Sequence, residues 1–438
     1  MKKLCLLLTL CGCLSVFCSC SREKADIYYL NFKPEVASVY DDIAKAYKEE
    51  TGVTLRVTTA ASGTYEQTLK SEISKKEAPT IFQINGPKGY AAWKDYCADL
   101  SDTELYKHLN DKSSAIRDGE AVYGIPYVVE GYGIIYNEAI TDKYFSLSNR
   151  ATTVEDMDDI RSFETLKAVV EDMTAHKSEL GIEGVFACTS LKSGEDWRWQ
   201  THLANLPVYY EFEKNGIEWT ADKGTDKIDF TFAQNFKNIF DLYIQNSTVS
   251  PKLLGSYQVA DSMAEFATGK CAMVQNGNWA YSQIKEVSGN VVKKDDIKFL
   301  PIYTGIEGEE NQGICVGTEN YLAINKNASE EQQKQAADFL YWLFSSETGK
   351  EFVSKKLDFI APFDTFGEDD RVEDPLGQNV GEWMDEEDIK QIPWSFTVFP
   401  SQSFKEDFGS ALLRYCQGNM TWDQVVATFK SRWAEEAK

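Results

Sequence analysis

The sequence predicts an α/β protein in two lobes, each built on a mainly parallel sheet flanked by helices. Three observations carry that expectation. The 438 residues exceed what one hydrophobic core ordinarily supports. The composition, 43% hydrophobic and 26% charged, is that of a folded globular chain with no long low-complexity stretch. From residue 27 onward strand and helix signals alternate, and such alternation lays successive strands side by side in parallel through right-handed crossovers.

Ile27-Tyr28-Tyr29-Leu30 is a short buried strand, broken by Asn31-Phe32-Lys33-Pro34. Pro34 suits the first turn of a helix. Val36, Val39, Tyr40, Ile43 and Tyr47 then recur at helical spacing until Thr51-Gly52 stops them. Val53, Leu55 and Val57 alternate with Thr54, Arg56 and Thr58 as a second strand. Ala60 to Gly63 forms a loop, and Thr64 with Gln67 makes a capping-box pattern for a helix through Ile73. Ala78-Pro79 precedes a third strand, Thr80 to Ile84. Ligands of such sheets bind at loops beyond the carboxyl ends of the strands. Here those loops are Asn31-Phe32, Thr59 to Gly63 and Asn85-Gly86, all small or polar, each opening a helix with free N–H groups. Near the end of the chain, Trp422, Val425, Val426, Phe429 and Trp433 form one apolar stripe capped by Thr421 and Gln424, a structural helix.

Residues 1–20 read as an export signal. Lys2 and Lys3 give a positive start, Leu4 to Phe17 is apolar, and Ser21-Arg22-Glu23-Lys24 turns abruptly polar. The run is too short and one-sided for a spanning helix. Ser19-Cys20 at the polar boundary resembles the bacterial lipobox, in which the new N-terminal cysteine carries lipid. Leu10-Cys11-Gly12-Cys13 fits the small-residue rule better, but cleavage there would leave Leu14 to Phe17 on the mature chain. Cys20 is thus the expected lipid site and residues 21–25 a tether; a soluble protein cut by an ordinary peptidase is the plainer alternative. The later cysteines, 97, 188, 271, 315 and 416, are far apart and odd in number, which argues for small core residues against a disulfide framework or zinc site. Only three histidines occur, so no metal and no cofactor are expected. The formal charge of −24 becomes about −26 once Lys2 and Lys3 leave with the signal. Such a surface repels nucleic acid and anionic lipid, leaving a monomer attached to the membrane through its lipid anchor only.

Four stretches in order resemble one family: VYGIPYVVEGYGIIYN from Val122 to Asn137, TGKCAMVQNGNW from Thr268 to Trp279, VGTENYLAIN from Val316 to Asn325, and Ala336 to Phe344 followed by Ser346 to Gly349. With the signal and the β-α-β start, they resemble the extracellular solute-binding proteins of ABC importers. The nearest group is the carbohydrate-binding one (family 1), which includes maltodextrin- and multiple-sugar-binding proteins. The resemblance implies the type II periplasmic-binding-protein, or Venus-flytrap, fold. Lobe one would take residues 26–128 plus 313–357, and lobe two 129–312 plus 358–438. Crossings are expected near Val128 to Gly131, where Gly131 and Gly133 permit backbone change, and around Gly305, Gly308 and Gly313. A mono- or oligosaccharide would be enclosed by hinge closure and delivered to permease subunits.

Positions matching the family's cleft-lining elements give the candidate ligand site. Glu130, just past the Ile-Pro-Tyr strand, offers a carboxylate to sugar hydroxyls or to a hinge salt bridge. Trp279, with Asn278 before it, stands where the family places a ring under a pyranose, whose C–H face a flat ring matches. Trp197-Arg198-Trp199-Gln200 brings two indoles and a planar cation; on a helix 197 and 199 point apart, so one indole with Arg198 or Gln200 should face the cleft, and Gly194-Glu195-Asp196, a helix start, favours Trp197. Asn31, Glu35, Ser62, Tyr65, Gln83 and Asn85 stand at strand ends or helix starts, as ligand contacts or as caps. Pro362-Phe363 and Trp394-Ser395-Phe396 return towards the cleft but read as packing. The 22 Tyr and 10 Trp suit such a cleft. Two other functions fit the composition: polyamine binding in the same fold, and a secreted glycoside hydrolase with paired carboxylates. No GxSxG, HExxH or Walker loop occurs, and the elements do not repeat eightfold, so a binding protein is expected and not an enzyme.

Overall fold

A computed structural model describes residues 25–61 and 63–437; Cys20 and Ser62 lie outside them. In chain order the strands are β1 (Ile27–Asn31), β2 (Leu55–Thr59), β3 (Ile81–Asn85), β4 (Ile116–Asp118), β5 (Ala121–Pro126), β6 (Glu130–Asn137), β7 (Gly184–Phe186), β8 (Cys271–Gly277), β9 (Ile297–Leu300), β10 (Gln312–Gly317), β11 (Asn320–Ile324) and β12 (Lys390–Ile392). They form two six-stranded sheets. One runs β2-β1-β3-β11-β5-β4; the other runs β12-β10-β6-β8-β7, with β9 sharing an edge of β6. The chain is α/β and two-lobed, yet the sheets are mixed. β1 is parallel to β2 and β3, whereas β11 returns antiparallel to β3, and β6 is antiparallel to β8, β9 and β10. Strands that re-enter a sheet from the other lobe arrive from the opposite end, which fixes that direction.

Alternation along the strands dictates the layering. Ile27 and Tyr29 of β1 enter one core with helices Ala37–Thr51 and Glu330–Ser345, and Leu30 enters the opposite core with helix Tyr65–Glu72. Tyr132, Ile134 and Tyr136 of β6 face helices Phe163–Ala175, Ala204–Asn215, Ala233–Gln245, Gln402–Cys416 and Trp422–Glu436. Ile135 faces helices Val259–Ala267 and Pro375–Asp385. Each sheet is thus covered on both sides. The C-terminal stripe packs as its spacing demands, with Val425, Phe429 and Trp433 buried under a Thr421–Gln424 capping box. The five described cysteines are free and buried. Among the described residues no helix is long and apolar enough to cross a membrane.

Several local expectations are revised. Thr64 precedes helix Tyr65–Glu72 without a side-chain cap; its hydroxyl donates instead to the Ala61 carbonyl at 2.8 Å. Gly131 and Gly133 lie inside β6 and neither has a positive φ. A Cβ on Gly131 would meet Val380 at 2.5 Å, and one on Gly133 the Leu300 carbonyl at 2.7 Å, so both serve close packing and not backbone freedom. The turn between sheets comes at Tyr127–Val129. β10 remains in the second sheet through Gly317, so the return to the first comes at Thr318-Glu319 and not at Gly305 to Gly313. Phe359, Phe363 and Phe366 pack in the first lobe, and the second resumes with helix Pro375–Asp385.

Asp374 caps that helix, accepting the Gly377 N–H at 2.6 Å through one oxygen while the other is buried without a partner. Burial raises its carboxyl from 3.8 to about 7. A folded-state value above the unfolded one means stability is lost as pH rises from about 4 to about 7. Asp374→Asn keeps a capping oxygen and removes the charge. It is expected to melt above the parent at ~pH 8 and to converge with it at ~pH 4. An equal difference at both would refute this account.

Candidate functional site

Between the lobes lies a cleft enclosing about 1300 Å³, mouth included. Its first wall is made by the residues that follow β1, β2 and β3: Phe32 to Glu35, the loop through Gly63 into Tyr65, Glu66 and Gln67, and Asn85. Its second wall is Gly194 with Trp197, Arg198 and Gln200 to His202, then Trp279 and Gln283 after β8, then Trp394, Gln402, Lys405 and Glu406. Glu130 and Glu319 line its floor, at the two turns where the chain passes between sheets. Loops at the carboxyl ends of parallel strands therefore meet the crossing segments in one place.

At the floor Glu130 is 3% exposed and Lys33 4%. Their ion pair closes at 2.7 Å, Glu35 stands 3.7 Å from the same ammonium, and the Asn320 amide donates to Glu130 at 2.8 Å. Burial pushes the Glu130 carboxyl above its usual range against the pull of Lys33. Burial alone would lower Lys33, but the carboxylates of Glu130 and Glu35 outweigh it and hold the ammonium above its ordinary value. Glu319 is raised by burial, opposed by Lys405, and Lys405 is lowered by burial, opposed by Glu319 and Glu66. These three act on one another through space across the cleft. Glu66, raised by burial, also takes the Trp93 indole N–H at 3.0 Å.

The second wall is aromatic. The Trp197 and Trp279 centroids lie 5.9 Å apart, His202 is 5.7 Å from Trp279, and Trp394 is 6.3 Å from Trp279. His202 also packs on Phe396 at 4.7 Å and Tyr132 at 4.5 Å. Burial, reinforced by the Arg198 charge, lowers His202 to about 3, so its imidazole is neutral. The turn that presents Trp197 opens a wide-turned helical segment, Arg198–Leu203, continued by helix Ala204–Asn215; such wide turns concentrate at functional sites. Around the cleft stand buried polar atoms with no partner among the described residues: Asn85 Oδ1 on the first wall, Gln200 Oε1 and Trp394 Nε1 on the second. Buried polar groups of native proteins are nearly always satisfied, so unpartnered ones facing a cleft mark where a ligand's polar atoms go.

Of the residues singled out from sequence, Glu130, Trp279, Trp197, Arg198, Glu35, Tyr65 and Asn85 line the cleft. Asn31 and Gln83 stand behind its wall. Asn31 bonds the Lys33 carbonyl and the Thr59 hydroxyl, and Gln83 accepts the Phe32 N–H at 2.6 Å. Asn278 accepts the Gly131 N–H at 3.0 Å, tying the Trp279 turn to β6. Trp199 is buried with its N–H on the Ser190 carbonyl. Gln200, the alternative to Arg198, also lines the cleft; the sequence pattern does not single out Lys33, Glu66, His202, Glu319, Trp394 or Lys405 as cleft residues. Trp394 reads as packing from sequence because its neighbours Trp279 and His202 are distant in the chain. Lys405 sits on a helix whose own pattern is that of any amphipathic helix. Lys33 carried the one available signal, a cation inside a loop already placed at a strand end.

The lobes touch at the rim. A Cβ on Gly63 would lie 2.5 Å from the Gly194 carbonyl oxygen, one on Gly86 would lie 2.8 Å from Thr397 Cβ, and Lys88 pairs with Asp222 at 2.9 Å. Gly86 also has φ +65°, which a larger residue adopts at a cost. Gly86→Trp is expected to wedge the lobes apart, enlarging the radius of gyration in solution scattering and weakening ligand binding roughly tenfold by depleting the closed state. Unchanged scattering would show the contact is not needed for closure.

The fold is shared with solved sugar-binding proteins at low identity. The solute-binding protein RafE in complex with raffinose is 17% identical with a TM-score of 0.69, covering 94% of this chain and 99% of its own. A chitin oligosaccharide binding protein is 17% identical at 0.70, covering 94% and 98%. A sugar transporter protein from Bacillus licheniformis, in complex with stachyose, is 17% identical at 0.67, covering 93% and 100%. A family model described as bacterial extracellular solute-binding protein matches residues 42–376. Two doubly covered sheets, a cleft between them and that match together place the chain in the family of bacterial extracellular solute-binding proteins.

Proposed function

We propose that this protein captures a carbohydrate, a mono- or oligosaccharide, between its lobes and presents it to the permease of an ABC importer. The observation that carries the reading is the second wall, where Trp197, Trp279 and Trp394 stand with the unpartnered atoms of Gln200 and Trp394, faced by unpartnered Asn85 on the first wall. Flat rings take the C–H faces of a pyranose, while amide, indole and carboxylate groups take its hydroxyls. The ligands named for the solved relatives, raffinose, stachyose and chitin oligosaccharide, support a sugar of more than one ring. Capture and presentation need no covalent chemistry, so bound sugar should be recovered intact.

The family works outside the cytoplasm. Lipid on Cys20 would keep the receptor near its permease and raise its effective concentration there. Mass spectrometry of the mature N-terminus tests this: a diacylglyceryl-modified Cys20 supports it, and an unmodified terminus at another residue refutes it.

One observation favours a second reading. Glu35, Glu66, Glu130, Glu319 and Glu406 outnumber Lys33, Arg198 and Lys405 among the cleft-lining residues, a balance that suits a cationic solute such as a polyamine. Titration calorimetry against mono- to tetrasaccharides and against polyamines separates the two. Saturable binding of a sugar supports the first; a polyamine response with no sugar response replaces it with the second.

A further inference from the structure

Behind the aromatic wall lies a second, small cavity inside the second lobe, lined among others by Cys188, Ser190, Arg198, Tyr243, Ser262 and Gln275. The space within it holds about one water-sized body. Three of its lining residues carry buried polar atoms with no partner among the described residues: Nε, Nη1 and Nη2 of Arg198, the hydroxyl of Tyr243 and Oε1 of Gln275. Arg198 is only 4% exposed. It forms the shared partition between this cavity and the cleft.

The charge balance here is open. Arg198 makes no ion pair with any described carboxylate. Glu195, whose charge favours the guanidinium, has an oxygen on the Val259 N–H at 3.2 Å. The Trp197 ring lies 4.0 Å from the guanidinium carbon and covers one face, but accepts none of its in-plane N–H groups. A buried cation with neither counter-charge nor hydrogen bonds is among the costliest arrangements in a folded protein. The unpartnered groups also have a donor excess, three guanidinium nitrogens and a phenol against one amide oxygen. That oxygen is fixed in direction because the other end of Gln275 donates to the Arg198 carbonyl at 2.9 Å. A water would satisfy some donors and leave the charge uncompensated; a small anion answers both.

The geometry points to a buried site for a chloride-sized monovalent anion, held by Arg198 and Tyr243. Because the guanidinium stacks on Trp197, the anion also fixes a ring of the cleft. The site itself is independent of the cleft's ligand; only this second consequence rests on the carbohydrate reading.

The test uses the full-length, ligand-free protein at constant ionic strength, exchanging methanesulfonate for chloride or bromide. A saturable rise in melting temperature with either halide is expected, with half-saturation displaced roughly tenfold in Tyr243→Phe. The rise should be absent in Arg198→Gln; should that variant not fold, Tyr243→Phe carries the test. Crystals grown in bromide should show an anomalous peak within the cavity. A melting temperature indifferent to halide, or density there without anomalous signal, overturns the site in favour of a water. Sugar affinity measured with and without chloride separates the two layers. Affinity independent of chloride refutes the coupling to Trp197, whereas failure to bind any carbohydrate refutes the reading of the cleft and leaves the halide result intact.

Discussion

Trp279→Ala is expected to weaken carbohydrate binding by roughly ten- to a hundredfold, equivalent to about 1.5–3 kcal/mol of lost ring contact, while leaving the ligand-free melting temperature nearly unchanged. The ring is half-buried at the end of β8 and packs along Gly277, where an added Cβ would lie 2.2 Å from it. Its other neighbours, Trp197, His202 and Trp394, are themselves cleft residues, so truncation widens an open wall more than it hollows a closed core. The bonds beside it survive: the Asn278 N–H donates to the Gly131 carbonyl, and the Gly131 N–H donates to Asn278 Oδ1. Calorimetry for affinity and differential scanning for stability check the pair of claims. A large fall in ligand-free melting temperature would assign the ring to the core of the second lobe instead.

Lys33→Met should produce the largest loss of stability among single changes at the cleft, about 3–5 kcal/mol, because it strands the Glu130 carboxylate in the interior. Only the Asn320 amide would then remain among its present hydrogen-bond donors. Adding Glu130→Gln removes the stranded charge while keeping an oxygen for Asn320, so the double variant is expected to recover most of the loss. The coupling energy from the four-way cycle measures the pair itself. Additive losses would show that Lys33 acts through packing on Trp279 and Phe359, whose centroids lie 6.0 and 5.7 Å from its ammonium. Ligand affinity of the double variant decides a further point. If affinity survives, Glu130 holds the floor together without touching the solute.

The class of fold was legible because the mature N-terminal segment obeys local rules. β1, its proline-started helix and β2 follow from apolar spacing and from Gly52, which ends the helix in the left-handed conformation. The crossings were only half legible. Tyr127–Val129 lies where a strand-like run meets glycines, but those glycines serve Val380 and Leu300, contacts that no local pattern announces. Thr318-Glu319 carries no break signal, since β10 and β11 are two short strands in succession that belong to different sheets. For the site, residues at strand ends could be named, and Glu35, Tyr65 and Asn85 do line the cleft while Asn31 and Gln83 stand behind it. Lys405 and Trp394 could not, because what makes them cleft residues is the return of the last segments onto the second wall. Helical geometry sets Trp197 and Trp199 apart and the Gly194-Glu195-Asp196 helix start favours Trp197; the structure buries Trp199 and presents Trp197.

The rim contact of Gly63 with Gly194 is backbone against backbone. A contact of that kind has no side chain to recognise anything, so the shutting of the mouth carries no preference for cargo. Choice is confined to the walls within. The molecule therefore separates two tasks, a generic shutter and an interchangeable lining. Recutting the lining for another solute should leave the shutter intact. A pair of fluorescent labels placed across the rim, away from Gly63 and Gly194, would then report occupancy with the same signal whatever the lining has been redesigned to hold.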